Sequence, residues 1–302
     1  MTVSPEADIL DKNEKRQRRV KKFIGFICIF ILSCCNNCFA EIIQANDITI
    51  IQKALKSADK DTLVIFDVDD VLLIPKDQIL LAQNKKYLEE LNSKLEQSVG
   101  QENANVFYSI IFQQRQNGPV DAKKSEVISG LQAKGIKVLA LTNCFTGKFG
   151  NIKSMEDWRY GELSKNDYHF DRSWPTLKAK IFEKTMDNGL SPKSNSNPTF
   201  FKGIVFTNSV SKGEALQAFL KYANFTPKKI IFIDDKKKHL ETVENITLAH
   251  NIPFVGIEYT VANQIQNESL NTKRADLQYE ILENEKKWIS DSQADALLNS
   301  QK

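Results

Sequence analysis

Asp67, Asp69 and Asp70 stand at the end of the apolar run Leu63-Val-Ile-Phe66, and Asp234 and Asp235 end a second run, Ile230-Ile-Phe-Ile233. Aspartate is a poor strand residue, and a carboxylate buried without a partner is costly. Two apolar segments that both run into bare carboxylates therefore call for a ligand. In an open α/β sheet, ligands bind outside the carboxyl ends of the strands. Carboxylates that converge there suit a hard cation such as Mg²⁺. The two clusters predict metal-assisted chemistry on an anionic substrate.

These residues need a scaffold, and the rest of the chain describes one. Five apolar runs, Leu63–Phe66, Lys137–Leu141, Gly203–Phe206, Ile230–Ile233 and Pro253–Ile257, are separated by helical patterns. Such alternation predicts an α/β fold with a five-stranded parallel sheet between helices. The second run ends in Thr142-Asn143, and the third is followed by Ser211-Lys212-Gly213, which reads as a helix start. Residues 75–120 and 144–202 are too long for simple connections. In the first, Leu80, Tyr87, Leu88, Leu91 and Leu95 recur at helical spacing, which predicts a helical cap. The second is an aromatic-rich insertion that includes Trp158 and Trp174. The boundaries that follow are a core over 60–74 and 121–262, with 144–202 inserted in it, a cap over 75–120, and a helical tail over 263–302 with Leu277, Ile281 and Trp288 as docking residues.

Four polar motifs in this order, each on the expected strand end or helix start, resemble those of the haloacid dehalogenase (HAD) superfamily, over about residues 60–260. The resemblance implies a Rossmann-like core with a cap, and a phosphoric monoester hydrolase that works through an aspartyl phosphate. It assigns Asp67 as nucleophile and metal ligand, and Asp69 as acid and base, with its backbone carbonyl on the metal. Lys212 bridges nucleophile and phosphoryl oxygens, Thr142 and Asn143 bind the substrate, and Asp234 or Asp235 completes the Mg²⁺ site. Asp70 reads as a turn residue, since Asp67 and Asp69 fill both roles. Lys202 is a rival to Lys212, but only Lys212 opens a helix. Lys236-Lys237-Lys238 reads as a solvated face, His169 as a surface or packing residue, and Cys144 as an inert buried thiol. Thr142-Asn-Cys-Phe-Thr-Gly and Trp158-Arg159 are also similar to a group of exported bacterial HAD-like proteins.

Charge and cysteine usage bound the remaining possibilities. Seven Lys/Arg and four Asp/Glu in residues 1–22 account for the whole net charge of +3, and residues 41–302 hold 34 of each sign. That balance excludes the basic footprint of a nucleic-acid binder. A basic flank up to Lys22, an apolar stretch Phe23–Leu32 and the small residue Ala40 predict a signal segment over 1–40, with the mature chain starting near Glu41. A retained membrane anchor, or a lipoprotein around Cys34-Cys35, is the alternative. Four of the five cysteines fall in that segment, so the mature chain keeps only Cys144. The reading is an exported, periplasmic or secreted Mg²⁺-dependent phosphatase acting on a phosphorylated small molecule or phosphoprotein, with the membrane involved only through the signal segment. The alternative is a HAD-fold binding or effector protein with little turnover.

Overall fold

The computed structural model describes residues 40–183, 197–265 and 269–300. The signal segment expected over 1–40 therefore lies, but for Ala40, outside the described residues. The sheet runs β1-β10-β9-β2-β5-β8-β7-β6, so it has eight strands and not five. Its centre is β2 (Thr62–Phe66), flanked by β9 (Lys229–Asp234) and β5 (Lys137–Thr142), then by β10 (Phe254–Tyr259) and β8 (Ile204–Phe206). These are the five expected strands, all parallel.

Three strands extend the sheet at its edges. β1 (Ala40–Ala45) pairs parallel with β10, and β7 (Thr199–Phe201) and β6 (Lys180–Ile181) run antiparallel beyond β8. Their sequences hide them for physical reasons. β1 reads Ala-Glu-Ile-Ile-Gln-Ala, with polar residues suited to an edge, and follows directly on the signal-like stretch. β6 and β7 are two and three residues long, too short to show periodicity.

Strands buried on both faces need helices on both sides. Val64 and Phe66 of β2, with Ile231 and Ile233 of β9, face Ile48, Ile51 and Leu55 of α1 (Ile48–Leu55) and Ile128 and Leu131 of α4 (Lys123–Ala133). Leu63, Ile65, Ile230 and Phe232 face the other way, onto Leu216 and Phe219 of α6 (Lys212–Ala223) and Leu240 and Val243 of α7 (Lys237–Ala249). The period of two along each strand thus builds both layers.

The cap leaves the core through an antiparallel pair, β3 (Leu73–Pro75) and β4 (Asn117–Pro119), and consists of α2 (Lys85–Val99) and α3 (Gln101–Gln114). Its own core includes Leu91, Leu95, Phe107 and Ile111, and the tail closes it with Ala275, Tyr279, Leu282 and Trp288. The tail helices are α8 (Thr272–Glu285) and α9 (Asp291–Ser300). Trp288 docks as expected, while Leu277 and Ile281 are only half-buried and the docking face runs through Ala275, Tyr279 and Leu282. One further helix, α5 (Met155–Ser164), lies in the second insertion. Among the described residues no helix is long and apolar enough to cross a membrane.

Candidate active site

Register brings the first two clusters together. Phe66 of β2 pairs with Ile233 of β9, so Asp67 and Asp234 take the next positions on adjacent parallel strands. The Asp67 N–H donates to the Ile233 carbonyl at 2.9 Å. From β2 the chain winds outward through β5 and β8, then returns to the opposite side at β9 and β10. The β2/β9 boundary is thus the point where strand order reverses, which opens a crevice at the carboxyl edge. Thr142 ends β5 on the same edge.

Lys212 reaches this crevice because of how α6 begins. The Ser211 hydroxyl caps the helix by accepting from the Glu214 N–H, and it donates to the Glu214 carboxylate at 2.9 Å. Gly213 lets α6 lie against α7, since a Cβ there would sit 2.2 Å from the Thr242 carbonyl oxygen. The buried Lys212 ammonium then lies 2.7 Å from Asp67 Oδ1 and 2.6 Å from Asp234 Oδ2. Lys202, its rival, instead sits over the Tyr160 ring.

Each carboxylate has a different setting. Asp67 Oδ1 accepts from Lys212 and from the Val68 N–H, which leaves Oδ2 uncommitted. Burial pushes its carboxyl up, Lys212 opposes this, and the Asp234 and Asp235 carboxylates push it further; the balance lies well above the ordinary range. Burial also acts on Asp234, but Lys212 and His239 outweigh it and hold the carboxyl at about 2. Both Asp234 oxygens are engaged, Oδ2 by Lys212 and Oδ1 by the Lys236 N–H at 2.8 Å and His239 Nδ1 at 3.0 Å. Asp235 is raised by burial, against the pull of Lys236 at 2.9 Å. Its Oδ1 is buried with no hydrogen-bond partner, and so is the Thr142 hydroxyl.

Those two orphaned oxygens and the excess of carboxylate fit a cation and an anion together. Asp67, Asp234, Asp235 and His239 bring ligand atoms within 4.8 Å of one another. With Asp234 spent on Lys212, His239 and the Lys236 N–H, Asp67 and Asp235 are the carboxylates left for a metal.

Two predicted residues sit differently from the rest. Asp69 is half-exposed and points to Arg159, 2.8 Å away. Asn143 is exposed, and its Oδ1 accepts from the Thr207 hydroxyl and the Ser209 N–H, so it ties two loops of the edge together. Asp70 has φ +63° and its N–H donates to the Leu73 carbonyl, a left-handed turn residue. Burial, with Asp235 and Asp69 nearby, moves its carboxyl up to about 6.

Sequence reasoning missed His239, Arg159, Glu162 and Arg115. His239 is legible in retrospect, because a residue in the first turn of the helix after β9 faces back to the strand end. Arg115 comes from the first insertion and carries no motif, and Arg159, in the second, enters only through the resemblance of Trp158-Arg159 to exported HAD-like proteins, with no site role assigned. Lys236 leaves the solvated lysine run to pair with Asp235, while Lys237 and Lys238 remain exposed. The two insertion tryptophans also part company. Trp158 lies beside Arg159 and Arg115, whereas Trp174 is buried against Phe219 and donates to the Val138 carbonyl, a core role.

The fold and site define an α/β protein with a carboxylate and lysine centre at a strand-order switch point. This chain belongs to the family described as "Protein of unknown function (DUF2608)", whose model matches residues 44–295. It is 28% identical over 285 residues to an uncharacterized protein of Rickettsia prowazekii, covering 93% of this chain and 99% of that one. It is 27% identical over 264 residues to a protein of Chlamydia pneumoniae named "putative outer membrane protein", covering 83% and 89% of the two chains. A solved structure from Burkholderia xenovorans described as a "putative haloacid dehalogenase-like hydrolase" matches over 64% of this chain and 80% of that chain, with 12% identity and a TM-score of 0.29.

Proposed function

We propose that this chain is an exported, Mg²⁺-dependent HAD-type phosphatase that hydrolyses phosphate monoesters through an aspartyl phosphate. The observation that carries the reading is Lys212 set between Asp67 and Asp234, beside the unpartnered Thr142 hydroxyl and Asp235 Oδ1.

Asp67 Oδ2 attacks phosphorus, and the bond from phosphorus to the alcohol oxygen breaks. Asp69 gives the leaving oxygen a proton, then takes one from the water that attacks the phosphoryl-aspartate, and inorganic phosphate and the free Asp67 carboxylate result. Lys212 offsets charge on the nucleophile and the transferred oxygens, and the Thr142 hydroxyl donates to one of those oxygens. Asp234 holds Lys212 in place. Asp67, Asp235 and the Asp69 carbonyl would hold Mg²⁺, which would supply the remaining positive charge. Phosphate release from a panel of esters, with Mg²⁺ and after its removal by chelation, tests the reading. Loss of release on chelation is expected, and no release in either condition overturns it.

One observation favours the second reading, a binding or effector protein with little turnover. The acid/base carboxylate is committed to a buried guanidinium, which disfavours its protonated form. Tight phosphate binding without release of phosphate from any ester would be its signature.

Export rests on the basic flank and apolar stretch of residues 16–40, and the names of the chlamydial relatives are consistent with it. A cut after Ala40 leaves nearly all of β1 in the sheet. N-terminal sequencing of protein from the cell envelope is expected to read from Glu41, and an intact N-terminus would instead support an anchor.

A further inference from the structure

A cavity of about 460 Å³ lies between the cap and the loop that leaves β5, a size that suits a small-molecule ligand. Its walls include Leu88, Tyr108 and Phe112 of the cap, Phe145 and Phe149 of the loop, and Tyr279 of the tail. Phe145 and Phe149 stack with centroids 5.1 Å apart, and Phe149 lies 5.7 Å from Phe112. Phe145 is nonetheless 48% exposed, three residues beyond Thr142. The loop cannot simply collapse across the opening. The Asn151 N–H donates to the Ser109 hydroxyl of α3 at 2.9 Å. Gly150, at φ +52°, lies so close to α3 that a Cβ would be 2.2 Å from the Asn105 carbonyl oxygen.

The two ends of this groove differ. Asn92 and Glu96 line it, but they accept from the hydroxyls of Tyr279 and Tyr108 at 2.7 and 2.8 Å. Those polar groups are thus engaged with one another, and the rest of the wall, apart from Asn105 and Arg115, is hydrocarbon and aromatic. The other end is cationic. Arg115 also lines the cavity, with its guanidinium 5.1 Å above the Phe112 ring and 3.5 Å from Glu162. Its side chain is 10% exposed, and its Nε is buried with no partner. Glu162 holds Arg159, and Arg159 holds Asp69. A chain of ion pairs from Arg115 through Glu162 and Arg159 therefore connects the cationic end of the groove to Asp69, the residue placed at the leaving oxygen.

We infer that this groove receives the alcohol part of the substrate, and that this part is an alkyl chain or aryl ring rather than a sugar or nucleoside. The inference rests on the phosphatase reading for the phosphate end. Sugar hydroxyls would face a mostly hydrocarbon and aromatic wall on which Asn92 and Glu96 already accept from tyrosine hydroxyls, whereas a hydrocarbon loses water on both sides.

Two measurements test it separately from the reading beneath it. The first is kcat/KM in Mg²⁺ for methyl, propyl and hexyl phosphate, benzyl phosphate and glycerol phosphate. A rise of up to about fourfold per buried methylene is expected, with glycerol phosphate well below propyl phosphate. In Phe145→Ser the rise per methylene should shrink. Because Phe145 is half-exposed, its thermal midpoint should stay near wild type. The second is calorimetric titration of methylphosphonate and hexylphosphonate into wild-type protein with Mg²⁺, which needs no turnover. Tighter hexylphosphonate binding that Phe145→Ser abolishes supports the groove, even if no ester is hydrolysed and the phosphatase reading fails. Equal binding of the two phosphonates, or glycerol phosphate turned over as well as hexyl phosphate, overturns it.

Discussion

Arg159 Nη2 lies 2.8 Å from Asp69 Oδ2, and Arg159 is almost wholly buried. The pair joins the second insertion to the loop after β2, and it continues through Glu162 to Arg115 and Asn117 at the base of the cap. Three segments distant in sequence are thus linked to the Asp69 carboxylate. Burial alone would raise the Asp69 carboxyl, but Arg159 and Arg115 outweigh it and hold it below the usual range.

Replacing Arg159 should therefore be visible as a shift in pH dependence. Asp69 must be ionised to accept a proton from water, so activity falls as pH drops through its pKa. Arg159→Met removes the group that most lowers that pKa, and the acid limb of kcat, which includes the water step, should move to higher pH. A loss of about 10–100-fold is expected on esters with poor leaving groups, smaller than the about 10²–10⁴-fold that full loss of the acid/base would cost. Arg159→Lys should recover part of it. A pH–rate profile identical to wild type would remove Arg159 from this positioning role.

Asp67→Asn should abolish phosphate release and leave the protein folded. The amide is nearly isosteric, but it cannot form the acyl phosphate. Lys212 would still be paired with Asp234. Thermal unfolding and phosphate release on the same preparation check both halves. A folded Asp67→Asn protein with substantial turnover would contradict the nucleophile assignment.

Asp234 and Asp235, adjacent in sequence, should give different variants. Asp234 accepts from Lys212, His239 and the Lys236 N–H, so removing it leaves a buried ammonium short of a partner. Asp234→Ala should lose about 3–5 kcal/mol of stability. Asp235 keeps one oxygen free and pairs only with a half-exposed lysine. Asp235→Ala should cost far less stability but lose Mg²⁺ affinity. Denaturant unfolding and calorimetric Mg²⁺ titration separate the two, and equal effects on both would mean that the pair binds metal jointly.

How much of this was legible depends on what a signal requires. The five central strands are continuous apolar runs, so Asp67, Asp234 and Asp235 could be found from local pattern, while Thr142 and Lys212 are picked out by the resemblance of the four motifs in order. β1 could not, because an edge strand carries polar residues and Ala40–Ala45 follows a stretch of another character. The choice between Asp234 and Asp235 was also hidden. It depends on which carboxylate the lysine from a different helix reaches, and that is set by the close approach at Gly213. Arg159 and Arg115 depend on how two insertions pack, which no spacing records. Trp158 and Trp174 look equivalent in sequence, yet one borders the site and the other fills the core.

Cys144 is expected to be unreactive although it lies two residues from Thr142. It is buried, and burial pushes its thiol up to about 11. The thiolate is the reactive form, so alkylation by iodoacetamide at pH 8 should be on the order of a hundredfold slower in native than in unfolded protein. Mass spectrometry of timed samples measures this. Rapid labelling of folded protein would place the thiol at an accessible edge instead.

Lys124 carries the last prediction, which concerns stability. Its side chain is fully buried, its ammonium donates to the Val71 carbonyl at 2.6 Å, and it lies 3.7 Å from the Tyr259 ring centroid. It thereby fastens α4 to the loop that follows Asp67 and Asp69. Burial lowers its pKa from 10.5 to about 7, with Asp121 opposing. The sign follows from proton binding. Between about 7 and 10.5 the unfolded chain holds this proton more fully than the folded one, so stability contributed at Lys124 rises with pH across that window. Below pH 7 both states hold it, and the contribution is flat at its lowest value. Lys124→Met lacks this titration. The stability of wild type relative to Lys124→Met should therefore increase from pH 7 to pH 9, with a slope of at most about 1.4 kcal/mol per pH unit. Denaturant unfolding of both proteins at several pH values gives that difference directly. A difference that stays constant, or falls as pH rises, would mean that Lys124 remains charged in the core, held by the Val71 carbonyl and the Tyr259 ring.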